Sequence, residues 1–505
     1  MIDSLQQIGY GLSLAVLPQN LLYAFIGCLL GTLVGVLPGL GPMTTIAVLL
    51  PLTFQVGDPL GAIIMLASIY YGAMYGGSTT SILLRVPGEA ASVITCIDGY
   101  EMAKQGRAGP ALSIAAIGSF IAGTVSVVAL SFVGPAFANF AVSFGPPEYF
   151  ALAVFGLVLS ATIGGGSPVR GICMVLLGVL FGLVGIDTVT GAERFTMGIP
   201  AITDGIDLVP LLMGLFGIGE ILYNLEQKGE FKLLKSKIGR LLPNREEWKE
   251  SSGAIGRGSV LGFLVGLIPG GGAIIGSLMS YTLEKKLSKT PEKFGQGAIA
   301  GVAGPESANN AAASSSFVPL LTLGLPGNAV TAVLFAGLLI QNVQPGPLML
   351  VKHPDIFWGV IASMYVGNIM LLVLNLPLVG LWVQLLRVPV WILGPAVLLV
   401  AIFGTYSLRS NWGDVGLLMV AGGVGYLLRK AALDAGPFAM AFILAPIMDT
   451  SLRQALLMGD GNIGIIVSRP ISATIIAITS VVVAYTAYSY LKAGRTQEFS
   501  RPDNS

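Results

Sequence analysis

The chain has 505 residues, of which 54% are hydrophobic and 10% charged, with a mean hydropathy of +0.81 and a formal net charge of +1. Soluble domains carry about 25% charged residues, so an ordinary soluble fold is excluded, and the near-neutral balance argues against a nucleic-acid partner. Residues 4–84 hold one charged side chain, Asp58, and residues 108–169 hold only Glu148. Uncharged apolar runs of about 20 residues read as membrane spans, whereas a membrane barrel shows alternating segments of about ten residues.

In chain order, the N-terminus MIDSLQQIGYGL carries an acidic residue and no basic stretch, so no cleaved signal peptide is expected. Spans are expected over 17–37, 42–56, 60–84, 109–136, 148–164, 168–186, 206–226, 257–283, 355–386, 390–408, 411–428, 436–458 and 463–490, with broken helices over 294–340. Some of these are half-spans, so net crossings number about 12. The most hydrophilic internal stretch, 226–257, holds eight Lys or Arg and divides the chain. The expected organisation is a first membrane repeat over 1–225, a basic cytoplasmic linker over 226–256, a second repeat over 257–490 and a cytoplasmic tail over 491–505.

The two halves share two motifs. GTLVGVLPGLGPMTT (31–45) matches GFLVGLIPGGGAIIG (262–276), with Gly31, Gly35, Pro38, Gly39 and Gly41 falling on Gly262, Gly266, Pro269, Gly270 and Gly272. YGGSTTSILLRVPGEAASV (75–93) resembles AASSSFVPLLTLGLPGNAVTAV (312–333), with Pro87 and Gly88 falling on Pro326 and Gly327. Each half thus carries a Pro-Gly break, a Ser/Thr-rich run and a second Pro-Gly break. Proline removes a backbone donor and glycine permits the turn. Paired broken helices mark a transporter's binding site. The GxxxG glycines Gly31, Gly35, Gly262 and Gly266 are expected to serve helix packing instead.

Basic loops stay cytoplasmic. After the first motif, FQVGDPLG (54–61) has no Lys or Arg, while EKKLSKTPEK (284–293) has four Lys. After the second motif the bias swaps: DGYEMAKQGRAG (98–109) holds Lys104 and Arg107, and LLIQNVQPGP (338–347) holds none. Opposite bias at equivalent points predicts an inverted repeat. The expected fold is an all-α polytopic membrane protein of two inverted-topology repeats with broken helices or re-entrant hairpins.

Several chemistries drop out. Cys28, Cys96 and Cys173 are too few and too dispersed for a disulfide framework or metal site, and read as small core residues. The one histidine, His353, rules out HExxH and leaves a His-based triad without its partners. GGGAIIG (270–276) lacks GKS or GKT and the GxGxxG spacing, so it is no nucleotide loop. An intramembrane enzyme is disfavoured by the same histidine count and because no paired intramembrane carboxylates are expected. Energy for transport then comes from a gradient or a partner.

The stretch GPESANNAAASSS (304–316) is the polar exception in apolar surroundings, and Glu306 is the only charge between Phe294 and Val351. Hydroxyl and amide oxygens and freed carbonyls suit a hard monovalent cation such as Na⁺, and free N–H groups at half-helix N-termini suit an anion. The expected substrate contacts are Gly39, Gly41, Ser78, Thr79, Thr80, Gly271, Asn309, Asn310, Ser314 and Ser315. The expected Na⁺ ligands are Thr44, Thr45, Ser81, Pro87, Ser307, Asn310 and Pro326, with Ser316 a further candidate hydroxyl. Against each hydroxyl stands ordinary back-bonding to the i−4 carbonyl. Glu306 reads equally as a ligand or as a first-turn helix cap, and Arg85 as a carboxylate contact, a positive-inside anchor or the partner of Glu89.

GVLPGLGPMTT, YGAMYGGSTTSILLRVPGEAASV, GLIPGGGAIIG and GPESANNAAASSSFVPLLTLGLPG together resemble the large membrane subunit (TctA) of the tripartite tricarboxylate transporters over roughly residues 15–470. The resemblance implies a bacterial inner-membrane secondary transporter that is no enzyme. It implies a small membrane partner of about four helices, a periplasmic solute-binding protein that delivers a small organic carboxylate, and coupling to Na⁺ with no other cofactor. A proton-coupled carrier and a partner-independent one stay open as alternatives. An elevator-like movement follows by analogy with other inverted-repeat carriers.

Overall fold

The computed structural model describes residues 2–37, 41–163, 167–187, 189–226, 240–270, 272–385 and 390–498. Gly39, Gly271, residues 227–239 of the basic linker and the last residues of the tail lie outside the described residues. The principal helices are α1 (Ile2–Ala15), α2 (Pro18–Val36), α3 (Pro42–Phe54), α4 (Pro59–Leu84), α5 (Thr95–Lys104), α6 (Ala108–Ala141), α7 (Pro146–Ile163) and α8 (Pro168–Gly182). After the two-residue strands β1 (Gly185–Ile186) and β2 (Glu193–Arg194) come α9 (Leu208–Glu226), α10 (Arg245–Gly266), α11 (Gly272–Leu287), α12 (Ala300–Ser315), α13 (Phe317–Leu323) and α14 (Ala329–Ile340). The chain closes with α15 (Pro354–Asn375), α16 (Val390–Arg409), α17 (Trp412–Lys430), α18 (Ala435–Met458) and α19 (Pro470–Glu498).

Among the described residues seven helices are long and apolar enough to cross a membrane. The protein is therefore a multi-pass, all-α membrane protein. Most expected spans appear as helices, with some differences. The expected segment 257–283 is two helices, because Pro269 and Gly270 separate α10 from α11. The helix α1 was not among the expected spans. α10 also begins at Arg245, well inside the expected linker. Asn244 caps it by accepting from Glu247 N, and the Glu247 carboxylate returns to Asn244 N. Ser251 merely donates back to Glu247 O, so the Ser-Gly stretch does not interrupt the helix.

The chain forms two compact units. One comprises 1–142 and 207–430, the other 143–206 and 431–505, so each draws on both halves of the sequence. In the first unit, α4 is buried along its whole length and so is α12. Glycines set how closely their neighbours approach. A Cβ added to Gly27, Gly31 or Gly35 would lie 2.5, 2.3 or 2.5 Å from the carbonyl oxygen of Met65, Ile69 or Ala73. In the other half, Gly258, Gly262 and Gly266 meet the carbonyls of Gly304, Ala308 and Ala312 at 2.4, 2.2 and 2.4 Å. Glycines at equivalent positions of the two halves thus meet carbonyls at equivalent positions, in the same order. The packing of α2 on α4 is repeated by α10 on α12, and the GxxxG glycines have the packing role expected of them.

In the second unit, α7, α8, α18 and α19 pack together, and ion pairs tie the β1–β2 hairpin to α18. Arg194 bonds both Asp187 and Asp449 (2.9 Å to the latter), and Arg453 lies 3.2 Å from Asp187. The Val189 backbone N–H, 2.9 Å away, holds the Asp187 carboxyl below the usual carboxylate range, opposed by partial burial and aided by Thr190 and Arg194.

The glycine contacts and the Asp187 ion pairs each make a testable claim. Gly262→Ala lowers the thermal stability of the purified chain in detergent by about 1–3 kcal/mol, the usual cost of overpacking. Gly256→Ala, on the same helix with nothing within 4 Å of the new Cβ, leaves stability unchanged or raises it by about 0.5–1 kcal/mol. Equal losses from both would remove the close-packing account. A depressed carboxylate stabilises the fold above its unfolded pKa and loses that contribution as pH falls through the folded value. Asp187→Asn is therefore destabilising at pH 7, and melting curves from about pH 5 downward show less further loss in the variant than in the wild type.

Candidate functional site

The second Pro-Gly break of each half has one local architecture. α4 ends on Arg85, left-handed at φ 59° and ψ 27°, and α13 ends on Gly324 at φ 69° and ψ 26°. Arg85 and Gly324 are equivalent positions of the repeat. Glycine adopts that conformation freely, whereas an L side chain does so at a cost of about 1–2 kcal/mol. After each break comes a capped turn. Glu89 caps the turn Ala90–Val93 in a reciprocal box with Ser92, and Asn328 caps α14 in a reciprocal box with Thr331. Gly88 fits where a Cβ would touch Gly77 and Thr80, and Gly327 where it would touch Ser316 and Pro319. In the second half, Gly270 N also donates to Gly327 O at 2.8 Å, tying its two breaks together.

The caps then cross between halves. Asn309 Nδ2 on α12 donates to Glu89 Oε1 at 2.6 Å, and Asn328 Nδ2 donates to the Tyr70 hydroxyl on α4 at 3.2 Å. Glu89 and Asn328 are equivalent positions, and so are Tyr70 and Asn309. Each break therefore reaches the same point on the opposite half's polar helix. Tyr70 is braced by stacking with Tyr71 and Phe317.

A second carboxylate lies in the same interior. Glu306 is fully buried, and it accepts from Ser78 Oγ at 2.6 Å and from Thr95 Oγ1. It sits beyond the first turn of α12 and reaches across to the first half, so the helix-cap reading does not hold. The other Glu89 oxygen accepts from Ala91 N at 2.9 Å, and Glu89 is itself buried. Two intramembrane carboxylates thus occur together, one from each half, which corrects the expectation that none were paired. Among the described residues, every donor to these two carboxylates is electrically neutral.

The other candidates divide between this interior and simpler roles. Asn310 joins the set, donating to Ser119 Oγ at 2.7 Å and to Glu306 O at 3.1 Å. Thr79, Ser307 and Ser314 are buried nearby in sequence, and the Ser307 hydroxyl has no hydrogen-bond partner. Thr45, Thr80, Ser315 and Ser316 bond back to carbonyls three or four residues earlier, the ordinary alternative. Ser81 does so too, and also donates to Ser92 Oγ at 2.9 Å. Thr44 is drawn elsewhere, to Phe216 O on α9 at 2.8 Å. Gly41 opens α3, and Pro87 and Pro326 stand in the two break loops. Arg85 is exposed, with its guanidinium 5.7 Å from the Tyr100 ring centre, so its observed contact is aromatic.

Glu89, Thr95 and Ser119 were not among the expected site residues. The repeat contains the signal for Glu89, since PGE (87–89) aligns with PGN (326–328). Nothing local marks Thr95 or Ser119. A small cavity bounded by Tyr75, Ser78, Thr79 and Ser119 holds about 10 Å³, the room of one water. A larger cavity of about 540 Å³, lined by Ser4, Gln7, Asn139 and Trp358, touches none of the site residues.

Residues 21–440 match the family model described as the tripartite tricarboxylate transporter TctA family. The chain is 45% identical over 503 residues, all of both proteins, to an Agrobacterium vitis protein named uncharacterized 52.8 kDa protein in the TAR-I ttuC′ 3′ region. It is 43% identical over 242 residues, 48% of this chain and 100% of the relative, to the Agrobacterium vitis uncharacterized protein in the TAR-II ttuC′ 3′ region. No solved structure matches.

The Glu306 cluster predicts a stability coupling. Thr95→Val removes a hydroxyl donor from a buried carboxylate and lowers stability by about 1–3 kcal/mol. In a Glu306→Gln background the same change has a clearly smaller effect, measured as a double-mutant cycle on melting temperature. Strict additivity would mean that the Thr95 bond does not act through the carboxylate.

Proposed function

Since the chain belongs to the tripartite tricarboxylate transporter TctA family and is a transporter subunit rather than an enzyme, we propose that it carries a small organic carboxylate into a bacterial cell across the inner membrane, coupled to Na⁺. A periplasmic binding protein delivers the substrate, and a small membrane subunit of about four helices completes the complex. The two halves are inverted repeats that meet at the second Pro-Gly breaks.

The observation that carries this reading is the pair of crossed caps, Glu89 with Asn309 and Asn328 with Tyr70. Discontinuous helices whose polar ends meet at a repeat interface are the architecture of secondary transporters. The first amides of α14 have no intrahelical acceptor, and a helix N-terminus favours an anion. The substrate carboxylate is accordingly assigned to the Asn328 end of α14, beside Tyr70. The cation is assigned to the acidic side, where Glu89 and Glu306 leave two carboxylates without a basic partner. The interior cavity admits only about one water, so passage requires the buried helices to move, in an elevator-like step.

The two buried carboxylates also favour a second reading, in which protons replace Na⁺. Vesicles reconstituted with the three components separate the two. With a Na⁺ gradient alone, the primary reading expects uptake of labelled carboxylate, and Asn309→Ala and Asn310→Ala each reduce it about tenfold or more, as expected for losing a bond to a charged or coupled group. Uptake driven only by a proton gradient, lost in Glu306→Gln and kept in both asparagine variants, would establish proton coupling instead. Uptake by the large subunit alone would remove the partners.

A further inference from the structure

The two breaks are alike in backbone and unlike in charge. At equivalent positions the cap is Glu89 in the first half and Asn328 in the second, and their crossed partners are Asn309 and Tyr70. The Asn328–Tyr70 contact is neutral, so it offers a cation no balancing charge. At the other break the carboxylate is buried and its donors are the Ala91 amide and Asn309.

Asn309 adds an independent observation. It is 1% exposed, and its Oδ1 has no hydrogen-bond partner. With Glu89 ionised, its oxygens only accept, so the Asn309 NH₂ group makes this bond and Oδ1 is left over. The Oδ1 atom is therefore a buried acceptor beside a carboxylate, in an interior where an unmet polar atom is costly. Serines extend the oxygen-rich surroundings: Ser92 Oγ bonds the Glu89 backbone and receives a bond from Ser81. Glu306 accepts instead from two hydroxyls, those of Ser78 and Thr95.

We propose that Glu89 and Asn309 form the binding site of the coupling Na⁺, with one Glu89 carboxylate oxygen supplying the negative charge and Asn309 Oδ1 a neutral ligand. Resting on the Na⁺-coupled reading above, this assigns the cation to the first-half break and leaves the neutral Asn328 break to the anion. A single carboxylate with amide and hydroxyl oxygens matches a monovalent hard cation. A divalent ion has no cluster of three acidic, His or Cys side chains among the described residues.

The test is the melting temperature of the full-length chain in detergent, titrated with NaCl at constant ionic strength against choline chloride, with KCl as the specificity control. A ligand that binds only the folded state raises stability with its concentration. The wild type is expected to show a sodium-specific rise. Glu89→Gln and Asn309→Ala each weaken the apparent sodium affinity about tenfold or more, while Thr44→Val, whose hydroxyl bonds Phe216 O instead, keeps the rise. Melting in choline chloride reports whether each variant folds, and if Glu89→Gln does not, Asn309→Ala decides. A sodium response kept in the folded variants overturns the site but leaves Na⁺ coupling standing. A wild type without any sodium-specific response overturns both.

Discussion

A helix that stops inside a membrane leaves amides and carbonyls that lipid cannot satisfy, and the rest of this architecture depends on how those groups find partners. At both second breaks the chain turns through a left-handed residue, passes a Pro-Gly pair and restarts under a capping box. The caps then bond to the opposite half. Local backbone satisfaction and the joining of the halves are thus achieved by the same two side chains, Glu89 and Asn328.

Close approach is the second requirement. The helices that carry the polar runs, α4 and α12, are enclosed on all sides, and α2 and α10 contact them through glycines with almost no separation. Small residues on α12 serve packing and chemistry together: alanines face the neighbouring helices, while Glu306, Asn309 and Asn310 reach α4, the second break of the first half and α6. Buried polar groups at such density persist only when nearly all are bonded. That makes the unmatched oxygen of Asn309 informative, because it stands next to a carboxylate with only neutral donors.

This arrangement gives transport chemistry a clear division. On the proposed reading, half-helix ends would supply amides for an anion and carboxylates would supply charge for a cation, and among the described residues the donors to these carboxylates are all neutral. The interior is closed tightly around these groups, so on that reading binding would require the buried helices to move. A ligand at the breaks touches residues of both halves and favours whichever packing of the halves completes its shell.

By itself the sequence determined the class, the helices and the repeat, because hydropathy, Pro-Gly pairs and glycine spacing are local patterns written in contiguous residues. It also marked Glu306, Asn309 and Asn310 as polar groups too costly to bury idly. Tertiary structure decided which candidates meet. Thr44 turns to Phe216, Arg85 lies over Tyr100, and several hydroxyls bond back to their own helix. Ser78, Thr95 and Ser119 become partners of the polar helix only because α4, α5 and α6 converge on α12. A side chain's neighbours across a bundle depend on helix rotation and register, set by packing over the whole length of the helices, and no short stretch of sequence encodes them.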